Sequence, residues 1–182
     1  MIADAGFTAE THRVLTPDGY ILSVHRIINQ DIPSVHPKPV VFLQHGILCS
    51  SSDWVMGDRS KAFGTNIHCS VLTKHHSTFL GFLLADAGYD VWLGNFRGNV
   101  YSRNHTRLDP DQKEFWKFSW DEMGQYDLPA MLFHVIRHTG QSQLVYVGHS
   151  MGTTAFWVML NRYYCVVSRS MMKTLPSPGI LR

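Results

Sequence analysis

The segment Gly148-His149-Ser150-Met151-Gly152 has the pattern G-x-S-x-G, which is typical of a serine nucleophile on a sharp strand-to-helix turn. A short apolar run, residues 144–147, precedes it, and an apolar stretch of helical character, residues 153–160, follows. Glycines two positions to either side leave space where side chains would collide with the neighbouring strand and helix. The pattern predicts that Ser150 attacks a carbonyl carbon and that the Met151 N–H, at the helix N-terminus, stabilises the developing negative charge.

A second segment, Gln44-His45-Gly46-Ile47-Leu48, follows an apolar run at residues 40–43. In hydrolases with such a serine turn, the loop after this strand supplies the other N–H of the oxyanion hole. Gly46 lets the backbone approach a substrate closely. The predicted donor is therefore the Ile47 N–H, paired with that of Met151. One such donor typically stabilises the transition state by ~3 kcal/mol.

The segments that must position these loops predict an α/β fold. Strand-like residues 13–16 and 20–28 flank Pro17-Asp18-Gly19, a strong hairpin signal. Three further runs are apolar on both faces, which is typical of strands covered on both sides. These runs are residues 40–43, 89–93 and 144–147.

Helix signals lie between the buried runs. Residues 79–87 form a compact apolar segment, and Ser119 with Glu122 has the spacing of a capping box. A further helix is predicted to start after Asp127 and to end at Gly140. This alternation predicts an N-terminal hairpin followed by a mostly parallel sheet with flanking helices.

Composition excludes several classes of function. The chain has 182 residues, 45% hydrophobic and 16% charged, with a formal net charge of +2 and no run of basic residues, so nucleic-acid binding is not predicted. No apolar stretch approaches the ~20 residues that cross a bilayer, so no transmembrane segment is predicted. Residues 1–6 lack the basic and apolar regions of a signal peptide, and none is predicted.

Several longer motifs resemble those of the acid lipases, the gastric, lysosomal and related animal enzymes of the α/β-hydrolase superfamily. The matching segments are residues 45–55, 84–95, 97–99, 101–103, 115–123 and 126–130. The resemblance implies a serine hydrolase that cleaves triacylglycerols or sterol esters through an acyl-enzyme, with no cofactor. It also implies action on lipid esters, at a lipid–water interface, and a secreted or lysosomal location.

The sequence departs from this family in three places. In the family's chain order the triad Asp and His follow the serine, but residues 151–182 contain no Asp, Glu or His. Residues 64–81 interrupt the family pattern, and the pattern ends after Arg162. We predict a partial α/β-hydrolase domain, residues 1–162 with an atypical insert at 64–81, and a non-family tail without fixed structure, residues 163–182.

These departures leave three interpretations of function open. The first is a lipase-type ester hydrolase that is inactive as this chain stands. The second is a non-catalytic product or binding decoy of a lipase. The third is a carboxylesterase of another α/β-hydrolase type, which would prefer soluble esters to emulsified ones.

Other candidate residues receive structural interpretations. Asp127 is predicted to cap a helix, and Asn95, Arg97 and Asn99 to brace the loop after a buried strand. Asn104 begins a sequon, a possible glycosylation site in a secreted chain.

The remaining clusters are not assigned to a site. The spacing of His68, Cys69, His75 and His76 fits no familiar zinc pattern, so no metal site is predicted there. The aromatic residues within 115–120 are predicted to pack in the core rather than to form a lipid-binding surface.

Overall fold

A computed structural model of the chain describes residues 1–32, 37–56 and 79–171, and side chains as far as residue 163. In these residues one six-stranded sheet has the order β1-β2-β4-β3-β6, with β5 paired to β2. The strands are β1 (Thr8–Leu15), β2 (Tyr20–Ile28), β3 (Val40–Gln44), β4 (Asp90–Gly94), β5 (Asn104–His105) and β6 (Val145–Gly148). The α-helices are α1 (Leu80–Asp86), α2 (Trp120–Glu122), α3 (Leu128–Thr139) and α4 (Met151–Met171).

The predicted hairpin is confirmed. Strands β1 and β2 pair antiparallel from Thr8 opposite Ile28 to Leu15 opposite Ile21. Gly19 in the connecting turn has φ +100°, a backbone conformation that glycine adopts without strain.

The three apolar runs form neighbouring parallel strands, as predicted. Gln44 at the end of β3 lies opposite Gly94 of β4 and Gly148 of β6. The loops that leave these strands therefore start at one edge of the sheet, which is where ligand sites of α/β folds gather.

Strands β3 and β4 are buried on both faces, which explains why their runs lack a polar side. Strand β6, at the end of the strand order, is only partly covered, and Val145 is 53% exposed. Phe42 and Trp92 face a core that includes residues of α3 and α4. Val41, Leu43 and Val91 face a second core that α1 covers. The fold is thus an α/β sheet with helices on both sides.

The helix boundaries follow the predicted signals closely. Gly88 and Gly140, just beyond α1 and α3, have φ +89° and +69°, the left-handed conformation typical of a helix end. The capping box is present, because Ser119 and Glu122 each accept a backbone hydrogen bond at the start of α2.

In the described part of the chain, no helix has both the length and the apolar character that crossing a bilayer requires.

Two of the predicted domain boundaries can be compared with the helices of the structure. Helix α1 begins at Leu80, inside the predicted insert, whereas residues 64–78 lie outside the described residues. Helix α4 continues to Met171, so the boundary predicted after Arg162 falls within a helix rather than at its end. The division into domain, insert and tail stays a prediction, and residues 172–182 lie outside the described residues.

The prediction that Asp127 caps a helix is wrong. Its backbone is helical and its side chain makes no capping hydrogen bond. Its carboxylate instead accepts hydrogen bonds from the Arg97 backbone N–H at 3.0 Å, Nε at 2.9 Å and Nη2 at 2.7 Å. Both side chains are almost fully buried, and the Arg97 guanidinium partly offsets the desolvation that raises the pKa of the Asp127 carboxyl to about 6.

Arg97 also binds the hairpin turn. Its Nη1 donates to Asp18 Oδ2 at 2.6 Å and its Nη2 to Asp18 Oδ1 at 3.0 Å. The guanidinium carbon lies 3.9 Å from the centre of the Tyr20 ring, a cation–π contact. The predicted bracing role of Arg97 is confirmed, because one side chain joins the hairpin, the loop after β4 and the start of α3.

We expect Asp127→Ala to lower the free energy of unfolding by about 3–5 kcal/mol, because it leaves a buried guanidinium with half of its counter-charge. The control is Asp121→Ala, which removes an ion pair to Arg162 whose two side chains are 41% and 52% exposed. That change should lower it by less than about 1 kcal/mol. Urea unfolding of the three chains measures both, and equal losses would contradict the assigned role of Asp127.

Candidate active site

Ser150 lies on a strained turn between β6 and α4. Its φ of +52° is in the left-handed region, which non-glycine residues rarely adopt and which costs on the order of 1–3 kcal/mol. The residue is exposed, and helix α4 begins at the next position, Met151. Such strain together with exposure is typical of a nucleophile that a fold presents to a substrate.

The glycines around Ser150 are required by space. A Cβ at Gly152 would lie 2.7 Å from the Gln44 carbonyl oxygen, and one at Gly148 would lie 2.9 Å from the Thr153 backbone nitrogen. Both contacts involve backbone, which cannot move aside cheaply. Residues 148–152, which we term the elbow, therefore pack directly on the end of β3.

The loop after β3, residues 45–50, lies against the elbow and is termed the oxyanion loop. A Cβ at Gly46 would lie 3.1 Å from the Ser150 Cβ, so any larger residue would push the two segments a few tenths of an ångström apart. The His149 N–H donates to the Gln44 carbonyl at 3.0 Å and fastens the elbow to the start of this loop. The structure therefore brings together the two segments that the sequence singled out.

The two predicted oxyanion donors flank this contact. Ile47 belongs to the loop and Met151 is the first residue of α4. Across the described ranges, neither N–H donates to a backbone carbonyl, so both can serve a substrate oxygen. Their assignment as oxyanion donors, like that of Ser150 as nucleophile, stays a prediction that this arrangement supports.

His45 is a positioning residue that the sequence analysis did not identify. Its Nε2 accepts a hydrogen bond from the Phe96 N–H at 3.1 Å, so the ring proton is on Nδ1, which donates to the Gly46 carbonyl at 2.7 Å. In a trans peptide the carbonyl and the following N–H point in opposite directions. By holding the Gly46 carbonyl, His45 sets the direction of the Ile47 N–H.

The environment of His45 keeps its ring neutral. The side chain is buried, and desolvation lowers its pKa from the usual 6.5, with a smaller opposing effect from the Gly46 carbonyl. Protonation of Nε2 would replace the acceptor of the Phe96 hydrogen bond with a donor. In the sequence, His45 is visible only as a polar residue directly after a buried strand. That position does not reveal its hydrogen-bond partners.

Asn95 and Asn99 have the predicted loop-bracing role, and the segment that they hold is the oxyanion loop together with Ser51, the residue after it. Asn95 Oδ1 accepts from the Ser51 N–H at 2.9 Å and from Asn99 Nδ2 at 2.8 Å. Asn99 Nδ2 also lies 3.1 Å from His45 Nε2. The loop after β4 therefore determines the position of the loop after β3.

A cavity of about 630 Å³ opens beside Met151. Its apolar lining includes the following side chains: Ile47, Leu48, Phe96, Val100, Trp116, Phe118, Trp120, Met123 and Met151. The prediction that the aromatic residues 115–120 pack in the core holds for Phe115, which is fully buried. It is wrong for Trp116 and Trp120, which are 42% and 56% exposed because their short helical turns face the cavity rather than the sheet.

Two other predicted features lie away from this site. Asn104 is exposed in β5, opposite Ile21, and its glycosylation stays a prediction. The His68, Cys69, His75 and His76 group lies outside the described residues.

A family model described as "alpha/beta hydrolase fold" matches residues 39–172, most of the chain. The chain belongs to the alpha/beta-hydrolase family. A second model, described as "partial alpha/beta-hydrolase lipase region", matches residues 1–58. Among solved structures, an esterase of Pyrococcus furiosus has a TM-score of 0.52 and 15% identity, covering 90% of this chain and 48% of that one, which supports the fold alone.

Curated relatives confirm the resemblance to acid lipases. The chain is 49% identical over 156 residues to the gastric triacylglycerol lipase of Bos taurus, covering 85% of this chain and 35% of that protein. It is 47% identical over 159 residues to the lysosomal acid lipase/cholesteryl ester hydrolase of Homo sapiens, covering 86% of this chain and 36% of that protein. The chain thus spans about a third of the length of these relatives.

The neutral state of His45 makes a pH-dependent contribution to stability. An unfolded histidine binds a proton near pH 6.5 and folded His45 does so only at lower pH, so its contribution is complete above 6.5 and is lost as the pH falls towards the folded pKa. Removing this histidine should reduce the acid-side loss by at most ~1.4 kcal/mol per pH unit.

The measurement is urea unfolding of wild type and His45→Asn between pH 5 and 8. Asparagine can still donate to the Gly46 carbonyl but does not titrate. Asn99→Ala is the control, because it removes a hydrogen bond to the same ring and leaves the titrating group in place. Asn99→Ala should lower the free energy of unfolding but keep its wild-type dependence on pH. If His45→Asn also kept the wild-type dependence on pH, the ring of His45 would not be held neutral.

Proposed function

We propose that this chain carries the nucleophile and the oxyanion hole of a serine ester hydrolase that acts on lipid esters. The observation that carries the proposal is Ser150, exposed at φ +52° and in contact with the loop that holds the Ile47 N–H. An ordinary strand-to-helix turn needs neither this strain nor a neighbouring glycine at which an added Cβ would lie 3.1 Å from the Cβ at its apex.

The chemistry is acyl transfer in two steps. The Ser150 Oγ forms a bond to the ester carbonyl carbon, the bond to the alcohol oxygen breaks, and the hydroxyl proton passes by way of a general base to the departing alcohol. The Ile47 and Met151 N–H groups stabilise the oxyanion of each tetrahedral intermediate. Water then cleaves the acyl-enzyme, which releases the acid and restores the hydroxyl.

The rim of the site favours an apolar substrate. Ile47 is 61% exposed, Leu48 fully so and Val100 75%, and all three line the cavity together with Trp116 and Trp120. Exposed apolar side chains gathered at one site usually mark a binding surface. This rim and the names of the relatives support a triacylglycerol or sterol ester as the substrate, rather than the soluble ester of a carboxylesterase. Hydrolysis of such a substrate would take place at a lipid–water interface.

The location belongs to the same proposal. The names of two relatives contain the words gastric and lysosomal, which supports a secreted or lysosomal location for this protein. The exposed Asn104 would be open to glycosylation in such a compartment.

The base and its orienting acid are the groups that this sequence does not provide after the serine. Residues 151–182 contain no Asp, Glu or His. The relatives are about three times as long as the matched region, so both groups can come from residues that lie outside it.

A chimera tests the proposal directly. The region of bovine gastric lipase that this chain matches, 156 residues at 49% identity, would be replaced by the corresponding residues of this chain. We expect the chimera to hydrolyse a triacylglycerol emulsion and Ser150→Ala to reduce kcat by ~10⁴-fold or more, because the covalent step is removed.

The matched control in the chimera is Thr154→Ala, an exposed position one turn along the same helix. It should retain the chimera's kcat. A chimera that is folded and bound to emulsion, yet equally active with and without Ser150, would refute the assignment of the nucleophile.

A second candidate function is non-catalytic binding by these 182 residues alone, because residues 151–182 contain no Asp, Glu or His. We expect the purified 182-residue chain and its Ser150→Ala variant to hydrolyse a short-chain chromogenic ester at the same rate. The comparison is made at equal concentration, with the chromophore followed over hours. Turnover that Ser150→Ala abolishes would exclude the non-catalytic interpretation.

A further inference from the structure

Three histidines from two elements meet away from the elbow. His12 lies on β1, and His134 and His138 lie on α3. One ring nitrogen from each falls within 4.8 Å of the other two. His138 also borders a groove with Lys38 and Asp90, near the starts of β3 and β4, which is the opposite edge of the sheet from the elbow.

We propose that His12, His134 and His138 bind a zinc ion that fastens β1 to α3. Imidazole nitrogen is a preferred zinc ligand, and three histidines suffice for a site that keeps a fourth position for water. No part of the ester hydrolase proposal depends on this site.

The spacing of the two helical histidines suits one ion. Residues four apart lie on the same helix face, so His134 and His138 project side by side, and their rings lie nearly parallel with centres 6.1 Å apart. The same i, i+4 pair supplies two zinc ligands in helical metal sites. His12 supplies the third nitrogen from the facing strand, with its ring centre 5.1 Å from that of His134 and 4.7 Å from that of His138.

Only a small contraction is needed to form the site. Zinc holds nitrogen ligands at about 2.0–2.1 Å, which places two ligand atoms of a tetrahedron about 3.4 Å apart. The observed nitrogens lie within 4.8 Å of one another. The proposal requires the three side chains to rotate about their own bonds to close this gap.

The surroundings provide what a zinc-binding histidine needs. Glu10 Oε2 lies 3.2 Å from His12 Nε2, so the carboxylate can orient that ring and raise its basicity, as carboxylates do beside many metal-bound histidines. His134 Nε2 is buried and has no hydrogen-bond partner among the described residues. A buried polar atom without a partner calls for one, and a metal ion supplies it.

The positive charge of Arg26 is compensated, whereas Arg137, the neighbour of His138 on α3, adds positive charge near His134. Arg26 lies over the Trp92 ring, 5.1 Å from its centre, next to the histidines. Its guanidinium donates to Asp90 at 2.7 and 2.9 Å and to Glu10 at 3.1 Å. Two carboxylates thus face Arg26, which reduces its repulsion of a cation bound by the histidines.

The experiment measures zinc binding to the full chain prepared without an affinity tag. Competition with a chromophoric chelator gives affinity and stoichiometry, and Co²⁺ absorption reports tetrahedral nitrogen ligation. We expect one equivalent to bind, and His134→Gln/His138→Gln to lower the affinity by ~100-fold or more. Glu10→Gln removes the orienting carboxylate, which also accepts from Arg26, and should lower the affinity by ~10-fold.

Two controls keep the result decisive. His68→Gln/His75→Gln/His76→Gln removes the histidines of the predicted insert and should leave binding unchanged. His138→Gln alone changes an exposed side chain, so it tests the site in a chain with intact packing and should lower affinity by ~10-fold or more. Absence of zinc binding in wild type, or binding lost only in the triple variant, would overturn the proposal and leave the cluster as aromatic packing on Trp92.

Discussion

The contact between the elbow and the end of β3 is the constraint on which the candidate active site depends. Gly152 lies so close to the Gln44 carbonyl that any side chain would force the two strands' loops apart. That proximity places the oxyanion loop beside Ser150 before any substrate is bound. Donors held in advance need no reorganisation during the reaction, which is the main physical advantage of an oxyanion hole.

The strain at Ser150 has to be offset by the elements around it. Strand β6 pairs with β3 over four residues, and the elbow adds the His149 hydrogen bond to Gln44. The oxyanion loop is held in turn by His45, Asn95 and Asn99, which connect it to the loop after β4. The strained residue is thus surrounded by hydrogen bonds that relaxation of the turn would break.

Sequence patterns predicted the features that depend on neighbours in the chain. The Asp-Gly hairpin, the apolar strands and the glycine helix ends are local, and each was found close to its predicted position. The elbow was recognisable because its serine and glycines lie within five residues. The same local reasoning misplaced Asp127, since a carboxylate before a helix resembles a cap until its buried partner, thirty residues away in the chain, is known.

Contacts across the fold account for the rest of what the sequence did not reveal. His45 gains its role from the Phe96 N–H, and the histidine cluster forms only because β1 crosses the face of α3. Trp116 and Trp120 were assigned to the core on residue type alone, although the direction of each side chain depends on a short helical turn.

Histidine shows most clearly why residue type does not determine role in this molecule. His45 is buried, and its two ring nitrogens are fully used in opposite senses, one as donor and one as acceptor, so it can only hold a peptide in place. His134 is also partly buried, but its Nε2 has no partner in the described chain. A ring whose two nitrogens are both hydrogen-bonded can only hold its neighbours in place, whereas a ring with an unpartnered nitrogen beside two other histidines can adopt the tautomer that offers a lone pair to a metal ion. The hydrogen bonds of each ring therefore distinguish His45, which supports the candidate active site, from His134, which can contribute to a site of its own.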